Sequence, residues 1–581
     1  MEAPSERKLV VLYGSQTGYA EDAARRIGRE AWRRHYAVQV AAMDHVERSL
    51  VFETEAAAIL FVCSTTGQGD PPDNMRKFWR FLLRKTIPHD ALRGKRVAVF
   101  GLGDSSYSGF NFAAKRLFRR LVQLGAVPLV PRGDGDDQHY LGVDGALDPW
   151  LQDLWTELER SYPLPRPIVP ESVVPPPSAD VALDGDIEMH GLGAPPAPPL
   201  TVAATLAESE RITAQDHFQD VRRLRFETDD AVEWVPGDCA VLRPCNQARD
   251  VDAFLAAAGW TALADRRLRI SGETVATWVP RTTTLRWLGT YYFDIGGVPR
   301  RSFFEMLRHF ARTEAERERL CEFASTAGQD DLLTYCMRPR RTFTETLRDF
   351  RHTAPLPLEY AFDLVPPIAE RSFSISSARG SVDLTVAVVT YKTVMRDARR
   401  GVCSTWLAQL KPGERVRMRL ARGTMRPPPD PLTPAIMVGP GTGIAAFMAF
   451  MHQRCALAQS PNYLFFGCRS EHKDFYYRST LERWCAAGSL HLFCAFSRDN
   501  DPEKKVYVQH RIREQGALVW SLLDGRHACV YVSGNANKMP QDVRAAFVDV
   551  VAAHGARSAD DAAEYVRAME RDGRYQEECW Y

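Results

Sequence analysis

The sequence predicts a multidomain α/β and β protein: a doubly wound parallel α/β domain, an antiparallel β-barrel split by a helical insertion, and a second parallel α/β domain. Three observations carry this. Short apolar runs alternate with amphipathic helical patterns over the first 160 residues and again after Pro434. Between these regions, β-type alternation brackets a long helical stretch. A proline-rich break near residues 162–200 separates the first region from the rest.

The elements follow in order. Leu9 to Tyr13, Ala58 to Cys63 and Val97 to Leu102 read as buried strands, each followed by a helical pattern, within a domain spanning 1–160. A linker spans 161–202. Its prolines, Pro163 to Pro177 and Pro195 to Pro199, fix φ and remove donors, so it is expected to stay out of any sheet and to be extended and flexible. The barrel spans 203–430, opening with Val221 to Phe226 and the turn Val235 to Asp238, and resuming at Arg371 to Ser376 and Val382 to Thr390. A helical insertion at about 246–358 interrupts it, with helices at Arg301 to Phe310 and Glu314 to Phe323. The last domain spans 431–581, with strands at Ala435 to Val438, Tyr463 to Gly467, Leu490 to Phe496 and Cys529 to Ser533.

A length of 581 residues suits about three or four domains of roughly 150 residues. The formal net charge of +1 disfavours nucleic acid and anionic membrane surfaces as partners. Twelve cysteines without a Cys-x-x-Cys pair argue against a metal centre or a bound iron–sulfur cluster and fit reduced thiols. Met1 to Arg7 is too short and polar for a signal peptide, and the apolar window Pro434 to Met451 is broken by Gly-Pro-Gly-Thr-Gly. No membrane anchor and a cytoplasmic location are therefore expected.

Ser15, Gln16, Thr17 and Gly18 follow a strand and precede a helix opening at Tyr19 and Ala20, where hydroxyls and backbone N–H groups meet the positive end of the helix dipole. The loop lacks Gly-Lys-Ser/Thr, so a terminal monophosphate such as that of FMN suits it better than a nucleoside triphosphate. Alone, such a loop also serves as an ordinary helix cap. Two further strand-end loops weigh against that reading: Ser64, Thr65, Thr66 and Gly67 running on to Asp70, and Gly101 to Tyr107 with Leu102, Gly103 and Asp104. All three leave the same predicted sheet edge, where Tyr107 offers a stacking face.

These loops, with Gly135 to His139 and its Asp137, resemble the diflavin reductases, and most closely the NADPH-dependent diflavin oxidoreductases of cytosolic iron–sulfur assembly. The resemblance covers nearly the whole chain except the linker. It implies a flavodoxin-like FMN domain, a ferredoxin-reductase-like FAD barrel and a Rossmann-like NADPH domain. Microsomal members usually carry an aromatic where Thr66 stands, which implies a more open second face for the first flavin here.

Arg371-Ser372-Phe373-Ser374 resembles the family's Arg-x-Tyr-Ser motif, in which Arg meets the FAD pyrophosphate and the final Ser lies near the flavin. Phe373 in place of Tyr forfeits one hydrogen bond, about 0.5–1.5 kcal/mol. Gly401, Val402, Cys403 and Ser404 resemble the second pyrophosphate loop, with Ser404 supplying a hydroxyl, and Tyr391 holds the position expected to stack on adenine. Gly439 to Gly443, with Gly441 and Thr442, opens a helix after a strand and suits a pyrophosphate. Ser497, Arg498, Lys505, Tyr507 and Gln509 match the family's 2′-phosphate region, which favours NADPH over NADH. The resemblance further assigns Trp580 as a gate over FAD and Glu578 as the hydride-site acid. It places Ser533 where the family usually has a cysteine, leaving Ser374 and Glu578 as the polar support.

The implied reaction runs from NADPH to FAD, to FMN, to an anamorsin-type iron–sulfur protein. A soluble reductase for a haem or cobalamin protein is the other enzyme reading, and a non-catalytic flavin-binding scaffold is the reading from another class. The acidic residues Asp134, Asp136, Asp137, Asp144 and Asp148 read as a solvated loop or a partner-guiding patch.

Overall fold

The computed structural model describes residues 7–67, 69–107, 109–189, 202–272, 275–378, 380–428, 430–457, 461–499 and 505–580. Gln68 and the second proline cluster, Pro195 to Pro199, lie outside these. The chain forms two compact units, Met1–Pro195 with Asn246–Ala369 and Pro196–Cys245 with Glu370–Tyr581.

In the first unit, five parallel strands stand in the order Ala37–Ala42, Lys8–Gly14, Ala58–Ser64, Arg96–Gly103 and Val127–Pro128. Gly133–Asp136 pairs further along Arg96–Gly103. Leu9 to Leu12 are all fully buried because helices cover both faces. Leu9 and Val11 pack with Ile27 and Leu151, while Val10 and Leu12 pack with Phe78 and Leu117.

The helical insertion has its own core, around Trp260, Phe304 and Phe323. The expected helices are present as Arg301–Leu307 and Glu314–Ala324. As expected, the insertion splits the barrel in sequence, and it packs in one compact unit with the N-terminal α/β part, where buried charges join the two. Asp148 accepts from Arg26 at 2.7 Å and from Arg301 at 2.8 Å. Glu305 sits 3.2 Å from Arg29 and 3.5 Å from Arg26. The acidic cluster therefore divides: Asp148 is buried structure, not a solvated loop.

The expectation that residues 161–202 stay out of any sheet is overturned. Asp180–Glu188 pairs antiparallel with Arg266–Ser271, which also pairs with Thr282–Thr283. The stretch after Pro177 is free of proline, so its N–H groups can donate to a ladder. The proline stretch before it is tied down as well. Arg7 donates to the carbonyls of Tyr162 and Pro163, Val169 N–H donates to Arg33 O, and Tyr360 Oη donates to Pro175 O.

In the second unit, six antiparallel strands run Arg371–Ser374, Cys239–Leu242, Arg415–Ala421, Val202–Arg211, Val221–Thr228 and Val382–Ala387. The Ile375–Leu384 bridge joins the two ends and closes the barrel. Thr390–Tyr391 forms a separate hairpin with Arg399–Arg400. The C-terminal sheet is parallel, in the order His491–Phe496, Asn462–Cys468, Ala435–Val438, Cys529–Asn535 and Tyr575–Trp580. Ile444 to Met451 is the buried start of the helix Ile444–Ala456, which accounts for the apolar window. Among the described residues, no helix is long and apolar enough to cross a membrane.

Candidate functional site

The first site sits at the C-terminal ends of the N-terminal sheet. Gly14 is level with Cys63, and Ser64 with Leu102, so the three predicted loops leave one edge. Gly18 takes a left-handed φ of +87° as the residue before the helix Tyr19–Arg33, which favours glycine. Its N–H donates to Ser15 Oγ at 3.0 Å, leaving the Ser15 hydroxyl proton to give away. The first intrahelical bond is Asp22 N–H to Gly18 O, so the N–H groups of Tyr19 and Ala20 have no acceptor within the helix. This donor set fits a phosphate. Asn74 braces the loop by accepting from Ser15 N–H, and Gln16 Oε1 accepts from Asp73 N–H.

The neighbouring loops are self-held. Thr66 N–H and Oγ both donate to Asp70 O, with Gly67 at φ +49°. Thr65 Oγ1 accepts from Ala113 N–H. A Cβ on Gly103 would come within 2.7 Å of Asn111 Oδ1, so the buried Asn111 leaves room only for glycine there. Asp137 N–H donates to Gly103 O, and burial, then Asp104 and Asp136, pushes the Asp137 carboxyl up. Tyr107 is half-buried beside Asp104. Sequence reasoning missed Arg300 of the insertion. Its guanidinium donates to Gly18 O at 2.7 Å and Thr17 O at 2.9 Å and lies 3.9 Å over the Tyr19 ring.

The second site is built by the barrel and the C-terminal sheet. Ser372, Phe373 and Ser374 pair with Val241, Ala240 and Cys239. Phe373 packs on the barrel core. Gly401 precedes the helix Val402–Gln409, whose first N–H groups suit a pyrophosphate. Burial pushes the Cys403 thiol in this helix up to about 12, with Arg371 pulling the other way. Ser404 opens the helix beside Gly401. It is buried, and its hydroxyl accepts from Val389 N–H and donates to Gly401 O, holding the loop. Tyr391 is 45% exposed and presents an open ring.

Around Gly439–Gly443, strand-end loops touch backbone to backbone. A Cβ on Gly443 would lie 1.9 Å from Ser533 O, and Gly441 adopts φ +57°. Thr442 sits between them in the turn that precedes the helix. Ser497 N–H and Arg498 N–H donate to Cys468 O and Arg469 O, laying two further loops side by side. Arg498, Lys505 and Tyr507 are exposed, and no carboxylate among the described residues pairs with either cation. Gln509 instead donates to Asp542 at 3.3 Å.

Glu578 joins the two halves of this site. The C-terminal strand brings it level with Ser533. Its Oε1 accepts from Ser374 Oγ at 3.3 Å, and its Oε2 accepts from Thr424 Oγ1 at 2.8 Å and Thr424 N–H at 3.2 Å. Thr424 and Cys239 were not foreseen, since their approach depends on strand register and on the close packing of Gly237 against Met425 O. Trp580 ends the same strand, level with Asn535 and 38% exposed.

Residues 11–150 match the Flavodoxin family, 199–406 the FAD binding domain and 437–545 the Oxidoreductase NAD-binding domain. NADPH-dependent diflavin oxidoreductase 1 of Xenopus laevis is 43% identical, covering 99% of this chain and 100% of that protein. The proteins of the same name from Danio rerio and Schizosaccharomyces pombe are 44% and 39% identical, covering 99% and 98% of this chain and 100% and 99% of theirs. The chain belongs to the NADPH-dependent diflavin oxidoreductase family. It is an oxidoreductase with FMN, FAD and NADPH as its cofactors. The Flavodoxin match holds the Ser15–Gly18 loop, and the FAD match holds Cys239 and Arg371 to Ser404. Glu578 and Trp580 fall beyond the NAD-binding match, and the fold alone brings Glu578 to Ser374.

Proposed function

We propose that the chain carries electrons from NADPH through FAD and FMN to an anamorsin-type iron–sulfur protein in cytosolic iron–sulfur cluster assembly. The observation that carries the redox reading is the meeting of Ser374 and Glu578, supplied by two different folds, in one polar cluster. When bound, FAD takes a hydride from NADPH and the two flavins release its electrons singly.

The chain's residues bind and orient. Ser15, Gly18 and the first helical N–H groups hold the FMN phosphate. Arg371 and the helix end at Val402 hold the FAD pyrophosphate, with Tyr391 open to the adenine. Arg498 and Lys505 supply the cations that select a 2′-phosphate. Trp580, at a strand end, would shield the FAD ring and make way for the nicotinamide. Support for the acceptor comes from the motif resemblance in residues 63–74, 101–107 and 135–139, while the full-length similarity to NADPH-dependent diflavin oxidoreductases supports the electron path that feeds it.

Anaerobic NADPH titration with flavin quantification tests the redox reading; one FAD and one FMN per chain, both reduced by NADPH, is the expected result. Side-by-side reduction of an anamorsin-type protein and a haem protein tests the acceptor. Reduction of the haem protein alone overturns the iron–sulfur assignment, and a flavin-loaded chain that NADPH does not reduce overturns the enzyme.

A further inference from the structure

Cys239 lies against the polar cluster that links the barrel to the C-terminal sheet. Its Sγ is 3.8 Å from Glu578 Oε1, the oxygen that also accepts from Ser374, and its Cα is paired with that of Ser374. Burial, then the Glu578 charge, holds the thiol protonated, well above the ordinary thiol range. It is therefore a weak donor and not a free nucleophile. The Gly237 turn places it there: φ at Gly237 is +93°, and a Cβ would strike Met425 O at 2.2 Å.

Four donors thus grip one carboxylate, two on each oxygen. Thr424 holds Oε2 with its N–H and hydroxyl, while Ser374 and Cys239 share Oε1. A carboxylate fixed at both oxygens cannot rotate. Ser533, the strand partner of Glu578 and on the same side of the sheet by parallel register, is fully buried, and its hydroxyl has no hydrogen-bond partner among the described residues. The sheet therefore supplies no further donor to this carboxylate from that position, and the barrel supplies the thiol instead.

We propose that Cys239 is a positioning residue for NADPH oxidation, holding Glu578 so that its carboxylate presents a fixed negative charge to the nicotinamide ring. This rests on the redox reading given above. That ring gains positive charge as it is oxidised, and a preorganised anion stabilises such charge without having to reorient. Without Cys239, Oε1 would keep only its 3.3 Å bond from Ser374, a looser hold than the two donors give together.

The test uses flavin-loaded full-length protein. Cys239→Ala is expected to lower the limiting rate of flavin reduction by NADPH about tenfold, the scale of a modest misplacement. Cys239→Ser, which keeps a donor, is expected to recover to within about twofold of the parent. In equilibrium titrations of the oxidised protein, Cys239→Ala should weaken NADP+, whose ring is cationic, and leave 2′,5′-ADP, which lacks that ring, unchanged. In a Glu578→Gln background, Cys239→Ala should have no further effect on rate.

The proposal is overturned if Cys239→Ala leaves both the rate and NADP+ affinity unchanged, if it weakens the two ligands alike, if Cys239→Ser is as slow as Cys239→Ala, or if the loss persists in the Glu578→Gln background. A parent protein that NADPH does not reduce sinks the redox reading instead, so the two failures are distinct.

Discussion

Asp148 and Arg301 form a 2.8 Å ion pair in which both side chains are only 9% exposed. Thr326 and Arg26 also donate to the Asp148 carboxylate. Because removing the carboxylate takes one buried partner from each of two guanidinium groups that keep Glu305 beside them, Asp148→Ala is expected to destabilise the first unit by about 1–3 kcal/mol. Denaturant unfolding measures this, and an Asp148/Arg301 double-mutant cycle should return a coupling above about 1 kcal/mol. A cost below about 1 kcal/mol would show that the pair is solvated in solution.

Arg300 braces the phosphate loop from behind, through the carbonyls of Thr17 and Gly18. Arg300→Ala should raise the FMN dissociation constant about three- to tenfold, the usual range of a modest coupling, and leave FAD retention alone. Fluorescence titration of the deflavinated protein reads both. Equal loss of the two flavins would mean general unfolding.

Gly443→Ala should reach the nicotinamide cofactor specifically. The added Cβ meets the Ser533 carbonyl at 1.9 Å, so the loop must move away. Overpacking of this kind costs about 1–3 kcal/mol, and the displaced loop should raise KM for NADPH about tenfold or more. Retained flavin content with unchanged KM would refute this.

His309 gives the first unit an acid sensitivity. Burial, then Arg308 and Arg33, pushes its pKa down to about 4. Since the unfolded value is about 6.5, the neutral folded form contributes stability above pH ~6.5 that is lost as pH falls towards 4, at most about 3 kcal/mol. Asp144 works in the opposite direction over much of that window, because burial raises its carboxyl to about 6. The prediction therefore concerns a difference: the melting temperature of His309→Asn minus that of the parent should rise as pH drops from about 6.5 to about 4. A flat difference would exclude the mechanism.

Much of this was legible in the sequence, for physical reasons. Buried parallel strands such as Ala58–Ser64 are continuous apolar runs, and phosphate loops follow them with glycine where φ must be positive, as at Gly18. What stayed hidden depends on distant register. Cys239 meets Glu578 only after the barrel and the C-terminal sheet are both built, and Arg300 reaches Gly18 only through the insertion. Ser404 shows the converse: its motif was visible, but the hydroxyl's internal bonding was not. The strand Asp180–Glu188 was obscured by the prolines on either side of it.

The pairing of Cys239–Leu242 with Arg371–Ser374 has a consequence for how the protein is made. The barrel's early strands leave the ribosome well before their partners. At about 5–20 residues per second, the roughly 130 residues between them take on the order of ten seconds to synthesise. During that time the insertion, with a core of its own, can fold, while the strand carrying Cys239 waits with an unpaired edge. The barrel is thus a late assembly, and the half-made chain is most open to chaperones and to misassociation just before Arg371 emerges.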